Sequence, residues 1–265
     1  MCAIVGMVGV PNRDEWGETY RLLTALLVAA QVRGRDATGF VAVTQPLKGR
    51  FGGAVIMDKA PMASTDFVAQ SAGWKRLRAA RATIVLGHCR FSTSGSPALN
   101  INNHPHFSDN GRYYVVHNGI VPQHEAIADE HCLKLRSQCD TEVLLRLIEA
   151  APRPVDGLAD CLRACGSVGG SMAVALLDAP HRTVWLCRDS DRPLWLCRLK
   201  DKRPWFFAST AEILMTGIEQ TYGRDAGRRI EMILPLASGQ PHALTPGGLL
   251  IAPFAAPVHY RKLEE

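Results

Sequence analysis

The chain has 265 residues, of which 47% are hydrophobic and 21% charged, with a formal net charge of +5. That length suits one large domain or two small ones, enough for a sizeable core, and the balance is that of a soluble globular protein. Lys and Arg are dispersed, with no basic run of the kind that marks a nucleic-acid arm.

The opening MCAIVGMVGV lacks a charged leading segment and is too short to cross a bilayer, so neither a signal peptide nor a membrane anchor is predicted. Residues 3–9 read instead as an apolar strand covered on both faces. Residues 15–32 place Leu22, Leu23, Leu26, Leu27 and Ala30 at helical spacing. GRDATG (34–39) reads as a loop. Strands are expected over 39–44 and 53–57, with a turn around Pro46 and Gly49, and a helix over 66–80. TIVLGH (83–88) and YYVVHN (113–118) are strand patterns. The long Ser-, Asn-, Gly- and Pro-rich connection between them is of a kind that is often functional inside a compact domain.

Helices are expected over 122–131, 140–150 and 157–164. The second half turns to close-spaced strands over 172–178, 183–189, 193–199 and 204–209. A short helix over 211–217 follows, then further short strands between 228 and 252. No repeat or linker interrupts the pattern, which predicts a single domain over residues 1–265. Helices interleaved with two sets of strands predict two sheets with helices outside them.

Eight cysteines are present, none at CxxC spacing, and Cys161 and Cys165 could share a helix face. In a chain this long without a secretion signal they read as buried reduced thiols, which places the protein in the cytoplasm.

Six segments could carry chemistry. Cys2 follows the initiator Met1, so loss of Met1 would put a thiol and a free α-amine on one residue. Such an amine titrates at about 7.7–8.0 and can serve as base to the thiol nucleophile. RGRDATG (33–39) is either a plain helix-to-strand turn or part of a site. In GHCRFSTSGSP (87–97), Arg90 could hold a carboxylate in a bidentate grip, or be a surface loop arginine. In NNHPH (102–106), His104 and His106 could face one way, but no matching carboxylate or cysteine set is evident, so no metal site is expected. HNG (117–119) offers a side-chain amide beside a glycine N–H, as an oxyanion hole requires, and equally fits an Asn-Gly turn. In CDTEVLLRLI, Asp140 stands where a helix N-cap would be.

The order and spacing of these segments, an N-terminal Cys followed by RGxDxxG, HxRxxTxG, NxHPH, HNG and DTE, resembles the class II glutamine amidotransferase domain. That domain is the glutaminase module of glucosamine-6-phosphate synthase, glutamine phosphoribosylpyrophosphate amidotransferase and asparagine synthetase, and the chain is most similar to the first. The strong motifs run from Cys2 to Glu142. Weaker resemblance continues through RDSDRPLWL and FFASTAEIL to about residue 217.

The resemblance implies an α+β fold, the four-layer αββα sandwich of the N-terminal-nucleophile hydrolases. It implies that Cys2 attacks the amide of L-glutamine, releasing ammonia and leaving a γ-glutamyl thioester that water resolves. Asn118 and the Gly119 N–H would hold the oxyanion. Arg90, helped by Thr93, would bind the substrate α-carboxylate and Asp140 the α-ammonium. Arg33 would arrange the nucleophile end, and His104 would be a positioning residue. Phe91 stands where the family has tryptophan, and Ser94 where it often has histidine, both in the loop expected to close over glutamine.

No P-loop or dinucleotide fingerprint is present, and no cofactor is expected. Because the sequence ends at 265, the expectation is a free-standing glutaminase subunit passing ammonia to a partner synthetase or transferase in trans. Two other readings keep the fold: an amidase for γ-glutamyl peptides or another amide, and a catalytically inactive binding module. A cysteine–histidine hydrolase built on Cys89 is disfavoured, because strand alternation points His88 and Cys89 to opposite faces.

Overall fold

The computed structural model describes residues 1–45 and 53–251. The turn expected around Pro46 and Gly49, and the last residue of the strand region expected to reach 252, lie outside the described residues. In chain order the elements are β1 (Ala3–Val8), α1 (Trp16–Ala30), β2 (Ala37–Thr44), β3 (Val55–Ala60), α2 (Ser64–Gln70), α3 (Ala72–Ala80), β4 (Ala82–Arg90) and β5 (His106–Phe107). Then come β6 (Tyr113–Ile120), α4 (His124–Glu130), α5 (Thr141–Ala150), α6 (Pro154–Ser167), β7 (Ser171–Asp178), β8 (Thr183–Arg188), β9 (Trp195–Leu199) and β10 (Trp205–Ala208). The series closes with α7 (Ala211–Tyr222), α8 (Ala226–Arg229), β11 (Ile230–Pro235), β12 (His242–Thr245) and β13 (Gly248–Ile251).

The strands form a seven-stranded sheet, ordered β11-β9-β10-β1-β4-β2-β3, and a six-stranded sheet, ordered β13-β12-β8-β7-β6-β5. Neighbours pair antiparallel in both. Three apolar layers hold the stack. Alternate residues of β1 divide between two of them: Ala3, Val5 and Met7 pack with α1, α3 and α7, while Ile4 and Val8 enter the layer between the sheets. Likewise Met172, Val174 and Leu176 of β7 meet α5 and α6, and Ala173, Ala175 and Leu177 face the opposite sheet. A strand covered on both faces needs apolar residues at every position, hence the unbroken apolar runs of these two strands. The architecture is α+β, a four-layer αββα sandwich. Among the described residues no helix is long and apolar enough to cross a membrane.

Several elements differ from the sequence expectation. The helix expected over 66–80 is two helices broken at Ser71, whose Oγ accepts the N–H of Trp74 at 2.9 Å and donates to Asp58 Oδ2. Phe67, Trp74 and Leu77 are all buried, so the apolar pattern runs through the break and conceals it. The loop over 34–39 is shorter than expected, because the chain enters β2 at Ala37 by pairing with Arg90. The helix expected over 211–217 continues to Tyr222, and β5 has no sequence counterpart.

Candidate active site

Strand alternation gathers a polar cluster at one end of the inter-sheet layer. In β4, Ile84 and Leu86 face that layer, so His88 and Arg90 follow on the same face. In β6, Tyr114 and Val116 face it, and Asn118 comes next. Cys2 directly precedes β1 with the parity of Ile4, and Ser209 directly follows β10 with the parity of Phe207.

Cys2 is partly buried, and its Sγ lies 3.4 Å from both the carbonyl oxygen and the amide nitrogen of Phe91. Burial pushes the thiol up from its ordinary range, while the Phe91 amide and the Arg90 charge pull the other way. Arg33 donates its Nε–H to the carbonyl oxygen of Cys2 at 3.0 Å. Ser209 Oγ accepts the Ile4 N–H at 2.8 Å and the Asn118 Nδ2 amide at 3.4 Å, joining the Cys2 strand to Asn118. Asn118 and Gly119 lie within β6, paired with Ala173 and Met172, which excludes the Asn-Gly turn. A Cβ on Gly119 would sit 1.9 Å from Ser171 O and 2.5 Å from His117 Nε2, so only glycine fits.

Arg90 is buried and built into the loop that follows it: Nη1 donates to Asn103 Oδ1 at 2.8 Å, and Nη2 to the carbonyls of Ser94 and Gly95. The RGRDATG segment clamps that loop from the other side. Asp36 N–H donates to Arg90 O at 3.0 Å, and Asp36 Oδ2 accepts the Ser92 N–H at 2.7 Å. Gly34 comes so close that a Cβ there would lie 2.4 Å from the Arg90 carbonyl carbon. This segment is therefore more than a turn. Phe91 is half exposed, and Thr93 is exposed with no hydrogen bond among the described residues.

Asp140 is buried at the N-terminus of α5 but does not cap it. Its Oδ2 accepts the Val121 N–H at 2.8 Å. Behind it lie four buried imidazoles. His104 stacks on His88 at 3.9 Å between centroids and meets His106 edge-on at 4.9 Å. Thr141 Oγ1 bridges His104 Nε2 at 2.8 Å and His117 Nδ1 at 3.0 Å, and His88 Nε2 meets the His117 carbonyl at 2.9 Å. Burial pushes His88 and His106 down to about 3 and lowers His104 and His117 as well. Lys59 donates to the carbonyls of Asn103 at 2.6 Å and Pro105 at 3.0 Å, holding the NNHPH segment in place.

Cys139 comes within the same cluster, so that His104, His106 and Cys139 each place a potential donor atom within 4.8 Å of the others. Cys139 comes from a segment distant in sequence, so spacing alone does not pair it with the two histidines. The cysteine–histidine pair at 88–89 is excluded: Cys89 faces away from His88, donates to Leu27 O at 3.4 Å, and burial pushes its thiol to about 12.

The expected residues Cys2, Arg33, Arg90, Asn118, Gly119, Asp140 and His104 all lie in this one region, while Thr93 stays out on the loop. Thr141, Arg192 and Ser209 also take part, with no role expected for them from sequence. Arg192 donates to Ser171 Oγ at 2.8 Å and reaches the Met1 sulfur at 3.0 Å. The sign that could have revealed Ser209 is a polar residue ending an apolar strand with inter-sheet parity. Chemically the site offers a thiol, a buried amide, a guanidinium and a carboxylate.

Residues 88–216 match the glutamine amidotransferase domain family. The chain is 30% identical over 193 residues to the glutamine–fructose-6-phosphate aminotransferase (isomerizing) of Staphylococcus aureus, covering 71% of this chain and 29% of that protein. Its counterpart from Halalkalibacterium halodurans is 29% identical over 181 residues, with 67% and 27% covered. The chain thus spans less than a third of the length of these curated relatives. In fold it is similar to the glutamine phosphoribosylpyrophosphate amidotransferase of B. subtilis, with a TM-score of 0.67 at 18% identity, over 97% of this chain and 50% of that one.

Proposed function

We propose, from the premise that this chain carries a class II glutamine amidotransferase domain of the N-terminal-nucleophile fold, that it hydrolyses L-glutamine to glutamate and ammonia with Cys2 as nucleophile. The observation that carries this reading is the position of the Cys2 thiol against the Phe91 peptide, at the end of the inter-sheet layer where Arg90, Asn118 and Asp140 also come together.

On this reading residues 1–265 form one domain, and Met1 is removed so that the α-amine of Cys2 takes the thiol proton. Sγ attacks the glutamine side-chain carbonyl. The oxyanion is held by the Asn118 amide and the Gly119 N–H. Collapse of the tetrahedral intermediate expels ammonia and leaves a γ-glutamyl thioester, which water cleaves to glutamate. The remaining N–H groups of Arg90 grip the substrate α-carboxylate with help from Thr93 after loop closure, and Asp140 receives the α-ammonium. Arg33 fixes the Cys2 carbonyl, and His104 positions the Thr141 corner beside Asp140.

The ammonia goes to an acceptor activity of the synthetase or transferase class. This rests on the relatives, which are named as aminotransferases for glutamine and fructose 6-phosphate. The buried free thiols at Cys89, Cys139, Cys161, Cys165, Cys187 and Cys197 suit a reducing cytoplasm. The test is intact mass before and after 6-diazo-5-oxo-L-norleucine, a glutamine analogue that alkylates such thiols. Loss of Met1 and a single adduct on Cys2 are expected. Retained Met1 with no adduct would move the inactive binding module to first place.

A further inference from the structure

The proton positions around Thr141 follow from its neighbours. Ser171 O is a carbonyl and can only accept, so His117 presents Nε2–H to it at 3.4 Å. With the proton on Nε2, the neutral His117 imidazole presents a lone pair at Nδ1. Thr141 Oγ1 therefore donates to His117 Nδ1 and accepts from His104 Nε2–H. The neutral His104 imidazole, with its proton on Nε2, is left with a bare lone pair on Nδ1. That atom is buried without a hydrogen-bond partner among the described residues, and so is His106 Nε2. A chain of hydrogen bonds anchored on one carbonyl thus prepares His104 to ligate through Nδ1.

We propose that His104, His106 and Cys139 form a binding site for one soft divalent metal ion of the zinc type. Two imidazoles and a thiolate are a donor set that zinc accepts, and three potential donor atoms of these buried residues already lie within 4.8 Å of one another. Thr141 is the outer partner that fixes the His104 tautomer. His106 also forms part of the wall of an open cavity of about 290 Å³, together with Lys59, Phe107, Arg136 and Glu142, which gives an ion a way in. Loading moves the Cys139 thiol proton to solvent and leaves a metal–thiolate bond. The ion braces the wall behind Asp140, next in sequence to Cys139. This inference does not depend on the glutamine reading.

The experiment uses the full chain with Cys2→Ser and Cys132→Ser, which removes the two thiols that are not buried. The protein is stripped with a chelator, then titrated with zinc against a chromophoric chelator and separately with cobalt(II). One zinc per chain and a thiolate-to-cobalt charge-transfer band are expected. Cys139→Ser and His106→Gln should each lower zinc affinity by about 100-fold or more. X-ray absorption of the zinc form should show one sulfur at about 2.3 Å and nitrogens at about 2.0 Å. Lack of stoichiometric binding, undiminished binding by Cys139→Ser, or a zinc shell without sulfur would overturn the proposal. Should Cys139→Ser fail to fold, the absorption spectrum of the parent protein decides.

Discussion

Arg33 Nε donates to the carbonyl oxygen of Cys2 at 3.0 Å, tying the end of the first helix to the residue that precedes the first strand. The contact fixes the peptide rather than the thiol, so Arg33 acts on catalysis through position. A charged hydrogen bond of this kind contributes about 1.5–3 kcal/mol. Arg33→Ala should therefore lower glutaminase kcat by about 10- to 100-fold with a smaller effect on KM, read from steady-state ammonia release. An unchanged kcat would remove Arg33 from the site.

Asn118 has its Oδ1 buried without a partner among the described residues and its Nδ2 against Ser209, an amide anchored there at one end only. If it holds the oxyanion, Asn118→Ala should reduce kcat by about 100- to 1,000-fold while KM stays close to that of the parent. Alkylation of Cys2 by the diazo analogue separates loss of chemistry from loss of the pocket. A fall in KM-dependent terms alone would assign Asn118 to substrate binding instead.

Gly119→Ala puts a methyl group 1.9 Å from the Ser171 carbonyl oxygen in a paired strand, where backbone must move to relieve it. Stability should drop by about 3 kcal/mol or more. The urea midpoint measures this, and a midpoint within error of the parent would show that β6 and β7 yield easily there.

Acid should unfold the protein early. Burial depresses His88 and His106 to about 3, and lowers His104 and His117 too. A ring with a depressed folded-state pKa takes up its proton first in the unfolded chain. The stability it contributes is whole above the unfolded value of about 6.5 and is lost as the pH falls towards the folded one. Within that window each such ring removes about 1.4 kcal/mol per pH unit. Urea midpoints should fall steeply from about pH 6 downward, with more than one proton taken up on unfolding. A flat profile between neutrality and about pH 4.5 would show that the cluster opens to water.

Much of this was legible in the sequence for a physical reason. Strand Ala3–Val8 and the Met172–Leu177 stretch of β7 are covered on both faces and must be apolar throughout. Cys2, Arg33, Arg90, Asn118 and Asp140 sit at the ends of such strands or helices, where a polar residue interrupts the pattern. The break at Ser71 was hidden because Phe67 and Trp74 stay in phase across it. Two residues of β5 are too few to show a period. The approach of Cys139 to His104, and the Thr141 bridge from His104 to His117, depend on how α5 docks against β6. Local pattern does not carry that docking.

The Phe91 peptide lies 3.4 Å from the Cys2 sulfur through both its nitrogen and its oxygen. A protonated thiol can donate to the oxygen, whereas a thiolate is drawn to the N–H and repelled by the oxygen. Ionisation of Cys2 therefore exchanges one contact for the other, on the first residue of the loop that Arg90 and Asp36 clamp. The acidity of the thiol and the resting position of that loop are reciprocally linked: whatever displaces the loop must shift the ionisation equilibrium, and deprotonation must by the same amount bias where the loop lies.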